Sequence, residues 1–298
     1  MIRYGAWQLG FFSPGHRPSR SDVFGCATIG AVTGRQYHAA LNIGMYTWGT
    51  PVRGCVFSGT FAEVLSGVAN CAFRPSFMLV FYAHMNGAGA FVKELAQAMP
   101  GVPFSGGMAA SADGTCGELA PAAEDVAVLM CETDVFSVNS KNVLEARGGI
   151  YEFDAETPHV IRRLREPDMP WEDAADVVAL LKARYRIAAD DFEAFTFSDN
   201  DGLNLNLGSD DGGGAIRIGT DLPETGFLHP RTSDRETAAV AMVAYAQARS
   251  SLIIASVAQG RLVGKPFSVP ESSTMVFLSG QIVSGRCADL MLTALRRH

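Results

Sequence analysis

The stretch Phe77-Met78-Leu79-Val80-Phe81-Tyr82 is a continuous run of apolar and aromatic residues, and it decides the predicted fold. It has the length of one strand, and its lack of alternation is typical of a strand buried on both faces. Residues 88–99 then show helical periodicity that stops at Pro100-Gly101, and Val102-Pro103-Phe104 begins another strand. The stretch therefore predicts a strand–helix–strand unit with a right-handed crossover.

On the N-terminal side, residues 1–22 contain prolines and several charges, which predicts an irregular lead-in. Val23-Phe24 predicts a strand that ends in a small-residue turn, Gly25-Cys26-Ala27-Thr28. Residues 61–70 predict a short helix. A domain boundary is expected near residue 136, where the predicted pattern changes from an α/β half to a mixed half.

Beyond that boundary the sequence predicts a mixture of strands and helices. In Leu203-Asn204-Leu205-Asn206-Leu207 the alternation predicts a half-buried strand, with Leu205 and Leu207 facing a core and Asn204 and Asn206 facing solvent. The other expected elements are a hairpin over 143–153, helices over 170–186, 233–249 and 287–297, and strands over 192–197, 215–218 and 252–257. The helix at 233 is expected from the capping box that Ser233 and Glu236 would form.

Together these elements predict an α/β protein made of two α/β modules, each with mixed β-sheets flanked by helices. After the lead-in at 1–22, the first module spans residues 23–135 and the second spans residues 136–298.

Composition excludes several classes of function. Of the 298 residues, 48% are hydrophobic and 18% are charged, which favours a folded core over disorder. The net charge of -7 makes nucleic acid an unfavourable partner, because phosphate binding needs a clustered basic surface. The richest apolar stretch, 238–258, is too polar for a membrane span. With no signal-peptide pattern and six scattered cysteines, we expect a reduced, cytoplasmic protein.

Cys26 is the best candidate for a nucleophile, because it follows a strand among small residues, where a helix N-terminus could lower its pKa. His38 and His84 are the candidate bases, although no spacing links them to Cys26. A buried structural thiol is the simpler interpretation, so we lean against an enzyme and keep a cysteine-dependent hydrolase or transferase as the alternative. No cofactor is expected.

No metal site is expected from the sequence. The cysteines and histidines show no zinc spacing. The acidic stretches at 199–202 and 210–213 do not continue into an EF-hand loop, and turn chemistry explains them.

Gly106-Gly107 after a predicted strand suggests a backbone that turns sharply and presents N–H groups to an anion, or else an ordinary tight turn. We expect a ligand site where Gly25-Cys26, Gly106-Gly107 and Ser279-Gly280 converge at strand ends, with Arg261 as an anion clamp. Gly107→Val is then expected to abolish binding with little loss of fold. The candidate binding residues are Cys26, Thr28, Gly106, Gly107, Arg261, Ser279 and Gln281.

Read in order, these pieces resemble the FIST family of bacterial sensory domains, whose pattern begins with a strand running into G-C-S-T-A-G-E-I. The matching segments here are 25–32, then the strand 77–82 and Phe104-Ser105-Gly106-Gly107-Met108-Ala109, then 142–154, 253–261 and 277–282. The resemblance covers about residues 23–285. It implies a signal-input protein that recognises a small molecule, such as an amino acid or another small carboxylate, and that works with a signalling partner.

The chain departs from the family pattern at several positions. The acidic position of the G-E-I motif is Ala31 in the first copy and Gln281 in the last, and Val257 stands where a cysteine is expected. The family's first strand–helix unit has no counterpart before Gly25. These departures predict a different or more neutral ligand, or a loss of binding.

Overall fold

In the computed structural model the chain has an α/β fold with mixed parallel and antiparallel sheets. The structure describes residues 7–12, 25–28, 30–33, 36–38, 43–47, 53–84, 86–109, 119–120, 124–132, 136–142, 144–157, 159–185, 195–205, 207–209, 214–218, 222, 224–232, 251–256, 274–278, 280–283, 285–288 and 291–297.

The helices are α1 (Phe61–Ala69), α2 (Ala88–Ala98) and α3 (Val177–Tyr185), with one 3-10 turn at Trp171–Asp173. The strands are β1 (Trp7–Phe12), β2 (Gly25–Thr28), β3 (Gly30–Thr33), β4 (Gln36–His38), β5 (Ile43–Thr47), β6 (Arg53–Gly59), β7 (Phe77–Tyr82), β8 (Phe104–Met108), β9 (Leu119–Ala120), β10 (Val126–Glu132), β11 (Phe136–Asn142), β12 (Glu145–Ala146), β13 (Tyr151–Thr157), β14 (Val160–Arg165), β15 (Ala175–Asp176), β16 (Phe195–Ser198), β17 (Leu207–Ser209), β18 (Ile216–Ile218), β19 (Thr225–Thr232), β20 (Ser251–Ser256), β21 (Thr274–Leu278), β22 (Gln281–Val283), β23 (Arg286–Ala288) and β24 (Met291–Arg297). Within these described residues, no helix is long and apolar enough to cross a membrane.

The first sheet is built around the predicted strand–helix–strand unit, which is confirmed. β7 and β8 are parallel neighbours, with Met78 opposite Phe104, and α2 connects them along the chain. Strand β10 pairs antiparallel with β7 on its other side. The full order is β23-β22-β8-β7-β10-β6, so strands from both ends of the chain share this sheet.

Strand β7 is buried on both faces, as predicted. Met78, Val80 and Tyr82 pack in a core with the apolar faces of α1 and α2. Phe77, Leu79 and Phe81 pack in a second core with Ile254, Val276 and Leu278, which belong to another six-stranded sheet of order β11-β24-β20-β21-β3-β4. The result is three layers, with helices, the first sheet and the second sheet in that order.

The described residues between 145 and 232 form a unit with a sheet and a core of their own. The sheet path is β12-β19-β13-β14-β18-β17, and Tyr151, Phe153 and Leu164 pack with Val177 and Leu181 of α3. The strands from 251 onward return to the two sheets described above. The sheets therefore do not divide at residue 136, because the chain's last strands pair with strands from its first half.

Several local predictions were wrong, and strand pairing explains each. Trp7–Phe12 of the expected lead-in is a strand that pairs with β2 and β5, and Gly25–Thr28 is a strand rather than a turn. Where a helix was expected over 287–297, the described residues Arg286–Ala288 and Met291–Arg297 are strands β23 and β24. Strand β24 lies between β11 and β20, so pairing on both sides outweighs local helix propensity.

Two predictions in the 145–232 unit also need correction. Strands β12 and β13 do not form a hairpin with each other, since both pair with successive parts of β19. The helix expected over 170–186 begins only at Val177, because Ala175 and Asp176 pair with β14 and the Asp176 carboxylate accepts a hydrogen bond from the Ala179 N–H at 3.0 Å. The helix expected over 233–249 lies outside the described residues.

The prediction for the segment around Leu205 is correct for one residue and wrong for another. Leu205 is buried, as expected, but Asn204 is buried too and was wrongly placed in solvent. Its side chain exchanges two hydrogen bonds with Asn142, at 2.7 and 3.0 Å, so the amide is paired inside the protein. The side chains of Asn206 and Leu207 lie outside the described residues.

We predict that Leu205→Ala lowers the free energy of unfolding by about 2–5 kcal/mol, because it leaves a cavity in the core. We predict that Asn204→Ala costs about 1–3 kcal/mol, because it removes the two hydrogen bonds that the buried Asn204 amide exchanges with the partly buried Asn142. Asn200→Ala, in the exposed turn nearby, is the matched control and should change stability by less than about 0.5 kcal/mol. Denaturant unfolding measures all three, and an Asn204→Ala loss as small as the control's would contradict the paired amide.

Candidate functional site

The glycine pair Gly106-Gly107 lies inside β8 and does not form the predicted turn. Gly106 is opposite Ile282 of β22, and the Met108 N–H donates to the Gly280 carbonyl at 3.1 Å. The structure thus brings together Gly106-Gly107 and Gly280 of the predicted Ser279-Gly280 segment.

These glycines allow backbone to approach backbone. A Cβ on Gly107 would lie 2.0 Å from the Gly280 oxygen, and a Cβ on Gly106 would lie 1.7 Å from the Val80 oxygen. Gly106 also has a φ of 143°, which other residues rarely adopt. Close strand packing therefore requires both glycines, whatever they do for a ligand, and the expectation that Gly107→Val spares the fold is wrong.

Gln281 links the two stacked sheets. Its side chain is fully buried in β22 of the first sheet, and its amide nitrogen donates to the Ile254 carbonyl at 3.0 Å and to the Thr293 hydroxyl at 2.5 Å in the second sheet. Gln281 stands where the family pattern has an acid. The neutral amide suits this position, because it can donate to both acceptors and carries no charge to bury.

Ser105 places a second polar group in the same space. It is opposite Leu79 in the parallel register, and Leu79 belongs to the core between the two sheets, so the Ser105 side chain faces that core. Ser105 is fully buried, and its hydroxyl has no hydrogen-bond partner among the described residues. A buried hydroxyl without a partner is unfavourable, so this group is available to hydrogen-bond with a water or a bound molecule.

Cys26 lies at the edge of this region and is almost completely buried, in one core cluster with Ala109, Leu119 and Leu278. Burial raises the pKa of its thiol, which is the opposite of what a nucleophilic cysteine needs. Strand β2 continues past it to Thr28, so Cys26 does not stand at the start of a helix that could lower its pKa.

The candidate bases are not joined to Cys26 in the described part of the chain. His84 is partly exposed beyond the end of β7, where its Nε2 lies 3.1 Å from an Asp125 carboxylate oxygen and its ring meets Phe61 edge-on. His38 is the last residue of β4, opposite Ala31. Its side chain, like that of Thr28, lies outside the described residues, as do Arg261 and Ser279.

The acidic turn at 199–202 has a structural explanation. The Asp199 carboxylate accepts from the N–H groups of Asp201 and Leu203, both at 3.0 Å, and it pairs with Arg286. Over the residues that the structure describes, no group of three or more His, Cys, Asp or Glu side chains could hold a metal. Residues 210–213 lie outside that part of the chain.

Sequence reasoning missed Ser105 and Thr293 as site residues. The sequence analysis placed Ser105 in the small-residue break after the strand that begins at Val102, whereas Ser105 lies inside β8. Thr293 carried no signal, since the segment that contains it was expected to be a helix and only strand pairing turns Thr293 toward Gln281.

We predict that Gly107→Ala lowers the free energy of unfolding by about 1–3 kcal/mol or more, because the added methyl group meets the Gly280 backbone. The control is Gly89→Ala in α2, where a Cβ meets no atom within 4 Å and alanine should stabilise the helix by about 0.5–1 kcal/mol. Denaturant unfolding measures both. Equal effects would mean that β8 and β22 do not approach as closely as described.

We also predict that Cys26 in the folded protein resists alkylation by iodoacetamide at neutral pH, because burial keeps the thiol protonated and out of reach. After unfolding in guanidinium it should be alkylated fully. Peptide mass mapping before and after unfolding measures this. Rapid alkylation of Cys26 in the folded state would contradict this prediction and would favour the cysteine-dependent enzyme instead.

No protein-family model matches the chain, and no curated protein shows significant similarity to it. The resemblance to the FIST family therefore depends on the motifs quoted above alone. Any function has to be argued from the residues themselves.

Proposed function

We propose that this chain is a sensory, signal-input protein that binds a small polar molecule between its two stacked sheets, next to Ser105 and Gln281. The observation that carries the proposal is the fully buried Ser105 hydroxyl, which has no partner among the described residues. A small ligand with a hydrogen-bonding group would give that hydroxyl the partner that it lacks among the described residues. The FIST resemblance supports the same class of function.

The chemistry of the surrounding groups narrows the class of ligand. Ser105, Gln281 and Thr293 are buried, neutral hydrogen-bonding side chains, and Leu79 and Phe81 supply apolar surface beside them. Such a mixture of apolar walls and a few placed polar groups is typical of small-molecule sites. Amino acids and small carboxylates, or their neutral amides, are the proposed ligands. Arg261 would favour the carboxylates if it reaches the site.

The alternative of a cysteine-dependent hydrolase or transferase receives less support. The Cys26 thiol has a raised pKa, and within the described residues no hydrogen bond connects it to His84. Cytoplasmic location and a downstream signalling protein remain parts of the proposal that follow from the sequence and the resemblance.

The test is a thermal-shift screen of the purified chain against the standard amino acids, small mono- and dicarboxylates, and the amide that matches each carboxylate. A ligand that binds only the folded state raises the melting temperature in proportion to its affinity and concentration. The carboxylate–amide pairs report whether the site prefers a charged or a neutral group. A screen in which no compound shifts the melting temperature contradicts the proposed function.

For any compound that binds, we predict that Ser105→Ala weakens binding by about 0.5–1.5 kcal/mol, the usual value of one neutral hydrogen bond. The substitution should leave the stability of the free protein nearly unchanged, since the hydroxyl makes no bond within the described structure. Ser66→Ala, on the exposed face of α1, is the matched control and should leave binding unchanged. Titration calorimetry measures the affinities, and equal affinity in the two variants would place the ligand elsewhere.

A further inference from the structure

Two cysteines that precede and follow α1 in the sequence lie beside this helix. Cys55 lies in β6 opposite Met130, and Met130 packs in the core under α1 and α2, so Cys55 faces the helix layer. Cys71 follows the end of α1, where its N–H donates to the Val68 carbonyl at 3.2 Å, and its side chain packs against the same core.

Helix α1 runs back along β6, because a Cβ on Gly67 of α1 would touch the Phe57 ring of β6. Cys55 stands two residues before Phe57 on the same face of β6, and Cys71 stands four residues after Gly67, so the two cysteines lie beside each other. Both side chains are only half-buried, and β6 is the outermost strand of its sheet, so small reagents can reach them. In contrast, Cys26 and Cys131 are buried in the core between the sheets, and Cys287 is buried in the core under the helices. Cys55 and Cys71 are thus distinguished from these other described thiols by both proximity and access.

We propose that Cys55 and Cys71 form a reversible disulfide and make a redox-responsive modification site at this edge of the sheet. The oxidant is a low-molecular-weight disulfide such as oxidised glutathione. One thiol loses its proton and attacks a sulfur of the oxidant, which forms a mixed disulfide and releases one reduced molecule. The second thiolate then attacks the mixed disulfide, which closes the Cys55–Cys71 bond and releases the other.

The atoms balance without any further reactant. The two cysteine thiols are oxidised together, the one external disulfide is reduced to two thiols, and the two protons pass to the released sulfurs. Burial and the neighbouring Cys71 thiol raise the pKa of Cys55, so less thiolate is present at neutral pH and the reaction should be faster as the pH rises.

The bond would fasten the end of α1 to the edge strand. Helix α1 is already fixed at its start by a capping box between Thr60 and Glu63, so oxidation would hold it at both ends. Strand β6 is separated from β8 and β22 by β10 and β7 in the sheet. The modification is therefore distinct from the ligand site proposed at Ser105, and either could exist without the other.

The experiment exposes the folded wild-type protein to glutathione buffers of increasing oxidised fraction. Samples are quenched in acid, alkylated after unfolding, digested and mapped by mass spectrometry. We expect a cross-linked peptide pair containing Cys55 and Cys71 that grows with the oxidised fraction and disappears with dithiothreitol. Cys26 and Cys131 should stay as free thiols during the oxidation and should be alkylated after unfolding, so they are internal controls.

Variants then assign the bond and its effect. In Cys55→Ser the remaining Cys71 should carry glutathione as a mixed disulfide, and in Cys71→Ser the remaining Cys55 should do so. Cys116→Ser should leave the cross-link unchanged. The oxidised wild type should melt at a higher temperature than the reduced form, because a disulfide restricts the unfolded chain, and Cys55→Ser should lose this difference.

Two results would overturn the proposal. One is glutathione on Cys55 and Cys71 separately in the wild type, with no cross-link between them at any buffer ratio. The other is a cross-link from either residue to Cys116 or to a second copy of the chain. Neither result bears on ligand binding, so the proposed function stands or falls on its own screen.

Discussion

The burial of β7 on both faces is the constraint on which the rest of the architecture depends. Six consecutive large apolar side chains cannot be covered by one layer, so one half of them needs the helices and the other half needs a second sheet. Each side chain contributes about 1.5–3 kcal/mol when it leaves water, which makes the two-sided covering strongly favourable. The strands after residue 251 supply part of the cover and complete both sheets.

When the two sheets pack together, the polar side chains between them are buried and need hydrogen-bond partners inside the protein. Gln281 meets this need by donating to both Ile254 and Thr293 across the gap, while Ser105 leaves a hydroxyl without a partner in the described structure. The contrast between a paired amide and an unpaired hydroxyl in one apolar space is the feature on which the proposed ligand site depends. Ligand sites are often places where a fold accepts a local cost that a bound molecule relieves.

The unit at 145–232 is tied to the stacked sheets by contacts near the turn at 199–204. Arg286 of β23 pairs with Asp199 and Asp201, at 2.5 and 3.0 Å, and Leu203 packs against Val283. The Asn142–Asn204 pair joins the same turn to β11. Because these contacts run to β22 and β23, the hairpin that carries Gln281 also connects this unit to the stacked sheets.

The sequence by itself determined the elements whose signals are local. The unbroken apolar run at 77–82, the periodicity of 88–99 and the stop at Pro100-Gly101 gave the parallel β7–β8 unit correctly, because burial and chain breaking are written in adjacent residues. The tertiary structure alone decided which distant segments meet. Asn204 reads as a surface residue until Asn142 pairs with it, and 291–297 reads as a helix until β11 and β20 flank it. Cys55 and Cys71 read as scattered thiols until β6 and α1 pack together. The pairing of distant strands and layers leaves no periodic pattern in the sequence of any one segment. Only the folded chain could therefore reveal it.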